Sequence, residues 1–511
     1  MLMNSIYPNS RIQFRFLFEI MIKQKVEITP WLSIVVAGSI TNDSQFTGIQ
    51  YALFFSSLWP YLRTLDPFLD ESFYGWIISS YCFGFILVVP FAGWWWSRSK
   101  SLVRPVQTAL VFVSIGNALY FLTPLLRTNR KWLVLMARFL VGFGGCTLSI
   151  MHTYASTAST IKHRSRAISI VACGHTLGTR LVTVTVSYDS VWTLGLQLLF
   201  TPFGLSGYPI YGDLTLNMYS LPALFAIIVN VIGMVLLQAV FVEVYADATK
   251  DNNEKQDDNT SGQYSRLAVT ICLWTRFAQD FTYANLETLG IPFAMSMFAL
   301  SRADALSSFA TAHGILAALS FLVNIMFILI SMEKYFDFRK LCIGGLIGFV
   351  MFHVVTFSYP IGGKIATYSE QDFVNGNTTI EPTGCPRDRF DWCVAMSPIN
   401  FWMYMIAFIL TIGCFNADIN TSNATILSKL LGSRPQTKYQ SIYWINGTFA
   451  RLIGPIVIST IYSFYGPRVA WSVEIAVLVF TIVLWFVFYR LLVPSVEKDV
   501  SRSLEMDETF K

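Results

Sequence analysis

The sequence predicts an all-α membrane protein of twelve helices, arranged as two six-helix bundles. Three observations carry that expectation. The 511 residues are 54% hydrophobic and only 13% charged, whereas a soluble domain carries about 25% charged residues. The apolar residues come in runs of roughly 20, the length at which a helix crosses about 30 Å of hydrocarbon. One long polar run, residues 243–265, stands almost at the midpoint, with six membrane-length segments before it and six after. It holds Glu243, Asp247, Asp251, Glu254, Asp257 and Asp258 against Lys250 and Lys255, and no apolar period runs through it. A segment of that composition cannot bury enough surface to fold alone and reads as a solvated linker.

The elements follow in order. Residues 1–30 read as a cytosolic tail, with no apolar core and cleavage site of the secretory type. Residues 31–242 read as the N-terminal bundle. Span 1 covers 31–62 and is interrupted by Thr41-Asn42-Asp43-Ser44-Gln45, polar backbone that is tolerated in a membrane only against protein or a water-filled cavity. Spans 2 to 6 are expected near 73–96, 105–126, 132–154, 165–187 and 217–242, with residues 188–216 a Gly- and Pro-containing apolar loop. Residues 266–492 read as the C-terminal bundle, with spans near 266–297, 306–331, 339–360, 399–424, 438–463 and 468–492, and 493–511 as a second cytosolic tail. The tryptophans at 94–96 read as an interfacial aromatic belt.

With both termini inside, the inner segments collect 23 of the 36 Lys and Arg residues and the outer loops 9, as the positive-inside rule requires. The same orientation places loop 361–397 outside or in a lumen. That loop carries the sequon Asn377-Thr378-Thr379 as a glycosylation candidate, and Cys385 and Cys393 as a disulfide candidate. Sugar and disulfide both require the non-cytosolic face. The other six cysteines fall in apolar spans and read as small core residues. No metal-ligand spacing, nucleophile elbow or phosphate-binding glycine loop is present, so no cofactor, metal or enzyme chemistry is expected. The formal charge of +5 shows no basic stripe with interleaved aromatics, which argues against nucleic acid as a partner and for the bilayer.

Several stretches resemble one family. They include Leu58-Trp59-Pro60-Tyr61-Leu62, Asp66-Pro67, Gly75-Trp76, Ser80-Tyr81 and Gly84 around span 2, and Ala137-Arg138 with Gly142 and Gly144 in span 4. Further along are Glu287-Thr288 and Pro292 in span 7, Pro382-Thr383-Gly384-Cys385 and Trp392-Cys393 in the loop, and Ala450-Arg451 with Gly454-Pro455 in span 11. Together they resemble the major facilitator superfamily domain-containing protein 8 family, lysosomal membrane proteins associated with neuronal ceroid lipofuscinosis type 7. The resemblance implies a twelve-helix major facilitator fold in the lysosomal (endolysosomal) membrane, and a transport role linked to chloride permeation without enzyme chemistry. The superfamily's acid after span 2 is missing: Gly93 is followed by three tryptophans and Ser97-Arg98-Ser99-Lys100. Its Gly-Pro bend in span 5 is replaced by a stretch containing His175 and Arg180.

A charge at mid-span costs about 2.5–3.5 kcal/mol on insertion scales and is functional by default. Span 7 carries Arg276, Asp280 and Glu287, whose spacings of four and seven place them on one helical face. Arg276 and Asp280 form an i,i+4 pair expected to neutralise itself, leaving Glu287 without a partner in its own helix and able to exchange a proton. Arg138 and Arg451, with no acid nearby in sequence, make a positive cavity suited to an anion; Arg180 and His152 are expected to add to it. His152, His175, His313 and His353 otherwise read as packing residues, Asp418 as a partner of Asn416 or Asn420, and Glu474 as a coupling residue. The transport-pathway set is thus Glu287, Arg138, Arg451, Arg276 and Asp280. Three functions stay open: a small-anion (chloride) pathway, a proton-coupled carrier of a small organic solute, and a non-transporting scaffold that engages a cytosolic partner through the acidic linker.

Overall fold

The computed structural model describes Leu58, Tyr61 and Leu62, residues 71–99, 101–126, 128–159, 163–183, 207–211, 214–217, 220–239, 241, 243, 265–330, 335–360, 363–369, 383–432 and 436–492. The expected span 1, the linker interior and Asn377 lie outside the described residues, apart from Leu58, Tyr61 and Leu62. Those three pack with Ile77, Tyr120, Val134 and Ala223.

The helices are α1 Glu71–Ser99, α2 Val103–Phe121, α3 Arg130–Phe143, α4 Cys146–Ala158, α5 Arg164–Thr183 and α6 Leu221–Ala239. In the second half come α7 Arg266–Phe298, α8 Arg302–Ile330, α9 Phe338–Val355, α10 Phe401–Leu410, α11 Asn416–Leu431 and α12 Thr437–Val487. α3 and α4 together form one span, as do α10 and α11. α12 holds two spans, divided by a non-helical corner at Gly466, whose φ of 82° favours glycine. The expected loop at 188–216 ends in a short antiparallel pair, Tyr208–Tyr211 with Leu214–Leu216.

Local sequence fixes the helix starts. The side chains of Ser265, Asp337 and Asn400 each accept a backbone N–H of the helix that follows, satisfying one donor that the first turn leaves over. Between α10 and α11, Thr411–Phe415 form a π-helical turn. Leu102, just before α2, donates its backbone N–H to Glu243 at 3.0 Å, so the first acid of the polar run after span 6 serves the connection between α1 and α2.

Trp76, Phe83, Leu87, Phe91 and Trp94 form an exposed apolar stripe along α1, with spacings of seven, four, four and three. On a helix this is one face, and it presents to lipid. The tryptophan run does not share that face as a unit. Trp94 is exposed but Trp96 is buried in the core. Successive helical residues project about 100° apart, so three in a row cannot all face the bilayer.

The two halves meet along α1 with α12 and α5 with α8. Near the ends that lead to the linker, Arg164 of α5 is buried and donates to the carbonyl of Ser428 in α11 at 3.0 Å. Arg164 stands just ahead of the expected span 5, in a connection on the inner side. Here it supplies a cation to the last turn of a helix in the other bundle, where carbonyls lack partners. At the opposite ends, the polar loop before α10 pairs Thr367–Tyr368 with Cys385–Pro386 and joins Cys385 to Cys393 through a disulfide, Cα–Cα 5.9 Å. Trp392, inside that disulfide loop, packs on the Gly466 corner and on Tyr462.

Candidate functional site

Halfway along the helices, α7 brings Arg276 and Asp280 to the first half of α12. Arg276 Nε lies 2.7 Å from Asp280 Oδ2, and both side chains are almost inaccessible. Arg451 of α12 reaches the other oxygen, with Nη2 at 2.9 Å and Nε at 3.2 Å from Oδ1. Asp280 therefore holds two arginines, not one. The expected i,i+4 pair of Arg276 and Asp280 is present, and Asp280 is in addition shared with Arg451, whose acid comes from another helix. Arg451 hydrogen-bonds Oδ1 while Arg276 is held at Oδ2 as an ion pair, so the two oxygens of one carboxylate serve two guanidinium groups.

Gly447 makes this approach possible. A Cβ there would stand 2.1 Å from Asp280 Oδ2 and 2.7 Å from Arg276 Nε. The rest of the Arg276 guanidinium is held by Asn420, whose Oδ1 accepts from Nη1 at 2.6 Å, and by the rings of Tyr443 and Trp444 at 5.1 and 4.7 Å. Gln279, one turn along, donates to Asn416. Asn416 and Asn420 thus serve α7. Asp418 instead accepts from Ser422 at 3.0 Å, which corrects its expected pairing with those asparagines.

Arg138 is buried in α3 with its guanidinium 5.5 Å from the Tyr81 ring of α1. The helices can approach there because a Cβ on Gly142 would stand 2.3 Å from the carbonyl oxygen of Tyr81. The charges of both Arg138 and Arg451 act on Tyr81 and on Cys82. One arginine from each bundle therefore addresses the same short stretch of α1.

Glu287 is not left without a partner in its own helix. Tyr283, one turn earlier on α7, donates its hydroxyl to Glu287 Oε1, and His313 of α8 brings Nε2 to 3.9 Å from the same oxygen. Arg451 lies over the Tyr283 ring at 5.1 Å, so a continuous row runs from Asp280 through Arg451 and Tyr283 to Glu287 and His313. Tyr283 was missed in the sequence, although its i,i+4 spacing to Glu287 was the available signal. His152 of α4 packs on Trp444 at 4.8 Å, so that ring sits between His152 of one bundle and Arg276 of the other. The side chains of His175 and Arg180 lie outside the described residues, and no group of His, Cys, Asp and Glu suited to a metal occurs among those described.

These features are buried charges within long apolar helices, Arg138 in one bundle and Arg276 and Asp280 in the other. The family model of the Major Facilitator Superfamily matches residues 45–370. The chain belongs to this superfamily. Among its superfamily relatives, Major facilitator superfamily domain-containing protein 8 of Xenopus laevis is 26% identical over 482 residues, covering 88% of this chain and 89% of its own. In structure, the fold is similar to that of the proton:xylose symporter XylE bound to 6-bromo-6-deoxy-D-glucose, with a TM-score of 0.62, 14% identity, and 89% and 95% of the two chains covered. It is also similar to the human organic anion transporter MFSD10 (TETRAN), with a TM-score of 0.56, 14% identity and coverage of 90% and 99%. At these identities the likeness shows the major facilitator fold of two six-helix bundles, and the family is one of membrane transporters of small solutes.

Proposed function

We propose that this transporter passes a small anion, chloride being the simplest, across the lysosomal membrane, with both termini in the cytosol. The observation that carries the reading is that one carboxylate, Asp280, is shared by two arginines, Arg276 and Arg451, while Arg138 of the other half lies over Tyr81 of α1. Guanidinium groups gathered in a low-dielectric site attract anions. Major facilitator halves rock about a midplane site, and Tyr81 and Cys82, addressed by one arginine from each half, mark where an anion would sit. The lysosomal placement is what the resemblance in motif implies.

A specific arrangement favours a second reading, a proton-coupled carrier of a small organic anion. The row Arg451, Tyr283, Glu287 and His313 joins the positive site to two groups able to exchange a proton. The organic-anion transporter of similar fold is consistent with it.

The test is flux into proteoliposomes carrying the full chain. The expected result is chloride flux that is lost in Arg138→Gln and in Arg451→Gln while both variants stay folded. Undiminished chloride flux in Arg138→Gln would refute the role. Saturable uptake of an organic anion that needs a pH gradient and disappears in Glu287→Gln would establish the second reading instead. If neither flux is seen, binding partners of the full chain with and without residues 247–262 would test the scaffold alternative.

A further inference from the structure

We propose that His353 and Glu474 form a proton-binding site inside the C-terminal bundle, apart from the arginine cluster. His353 lies in the last turn of α9, and Glu474 two turns past the Gly466 corner of α12. Their side chains are 0% and 1% exposed. The rings of Phe352 and Trp471 stand edge-on to the imidazole, with Phe293 of α7 stacked behind on Trp471 and on Tyr404 of α10.

The number of protons follows from the bonding. His353 Nδ1 meets the carbonyl oxygen of Phe349 at 2.7 Å. A carbonyl only accepts, so Nδ1 carries hydrogen. Nε2 is hydrogen-bonded to Glu474 Oε2. One proton must lie between these atoms, because without it two lone pairs would face each other. The pair is then either imidazolium with carboxylate or neutral imidazole with carboxylic acid. In both forms it holds one proton more than a neutral histidine beside an ionised glutamate, and it is electrically neutral as a unit.

Release of that proton would strand a negative charge where desolvation is severe. Glu474 Oε1 is itself buried and makes no hydrogen bond among the described residues, so these surroundings do not compensate a bare carboxylate. The titratable group that α10 turns toward Glu474 is the buried Tyr404, with Tyr462 of α12 beyond it, and α7 presents the ring of Phe293. Arg468, at the start of the second half of α12, donates to the carbonyl of Ser358 at 2.6 Å. The proton thus joins α9 to α12 and stays while those helices remain packed. The site is independent of the proposed anion pathway.

The test compares wild type with Glu474→Gln, whose amide N–H can donate to Nε2 and has no proton to lose. In the unfolded chains the two share the same histidine, and Glu474 is ionised above about pH 4.3. They then differ by one proton held in the folded wild type, so the folded state binds more protons and loses stability as pH rises. The expected result is a folding equilibrium that weakens about tenfold per pH unit in wild type relative to Glu474→Gln. Equilibrium unfolding of the full chain in micelles, from about pH 5.5 to 8.5, reads this slope across the range set by those side chains. A ratio that does not move with pH overturns the proposal. If Glu474→Gln does not fold, solid-state NMR of histidine-labelled wild type in lipid decides. A strongly downfield ring proton retained at the alkaline end supports the site, and its absence there overturns it.

Discussion

Asp280→Asn should be the most damaging single change at the arginine cluster, and the structure sets its size. The Arg276–Asp280 half is nearly dry, at 4% and 2% side-chain exposure. A unit pair about 4 Å apart attracts by about 4 kcal/mol at an effective dielectric constant near 20. The Arg451 half involves a side chain that is 38% exposed, so it behaves more like a surface pair worth about 0–1 kcal/mol. Neutralising Asp280 leaves two guanidinium groups facing each other, one of them buried. The expected cost is about 3–5 kcal/mol, that of breaking a buried pair, partly offset because Arg276 keeps Asn420 and its two aromatic faces. Arg451→Gln should cost about 1 kcal/mol, since Asp280 stays bound to Arg276. In the Asp280→Asn background the same Arg451 change should be neutral or stabilising, because it removes a like charge. Unfolding of the purified full chain, read as a double-mutant cycle, checks all three. The reasoning fails if Asp280→Asn is near-neutral, or if Arg451→Gln is as costly as Asp280→Asn.

Two further outcomes are expected. Cys82, half-buried between the charges of Arg138 and Arg451, should react about tenfold or more faster with an anionic methanethiosulfonate than with a cationic one. The preference should shrink in Arg138→Gln, with Cys82→Ser as the background, and equal rates would refute the positive field. Outside the membrane, burial pushes the Asp337 carboxyl up, but the hydrogen bonds and charge of Arg339 and the Tyr489 hydroxyl outweigh it and hold the group below its ordinary 3.8. Because the folded value is the lower one, its stabilisation is complete above pH 3.8 and is lost as pH falls through that lower folded value. The stability gap between wild type and Asp337→Asn should therefore be flat from about pH 5 to 7 and close only in stronger acid; a gap that drifts between those two values would refute it.

The spans were legible because hydrocarbon thickness forces a long apolar run on each crossing helix, and the charged residues of span 7 announced themselves by their cost. Pairings between helices were not legible. Asp280 and Arg451 are 171 residues apart, and His353 and Glu474 are 121 apart. Periodicity reports which face of a helix a residue occupies, not which helix comes to meet that face. His353 read as packing and Glu474 as a coupling residue for the same reason. Two misses were avoidable: the i,i+4 spacing of Tyr283 and Glu287 was in plain view, and so was the rotation that sends Trp94 and Trp96 to different faces. Arg164 stands just ahead of span 5, and nothing local to it in sequence shows that its contact lies in the other bundle.

The π-helical turn at Thr411–Phe415 has a consequence for how this site can change over evolution. Such a turn contains one residue more than the regular helix would, so everything beyond it is rotated by about 100° from the register it would otherwise keep. Asn416 and Asn420 reach Gln279 and Arg276 from that shifted register. Loss of a single codon within 411–415 would let the helix close up and swing both asparagines away from α7, with no residue of the cluster itself altered. One wall of the arginine cluster is thereby tuned by insertion and deletion, a currency to which comparisons of aligned substitutions are blind.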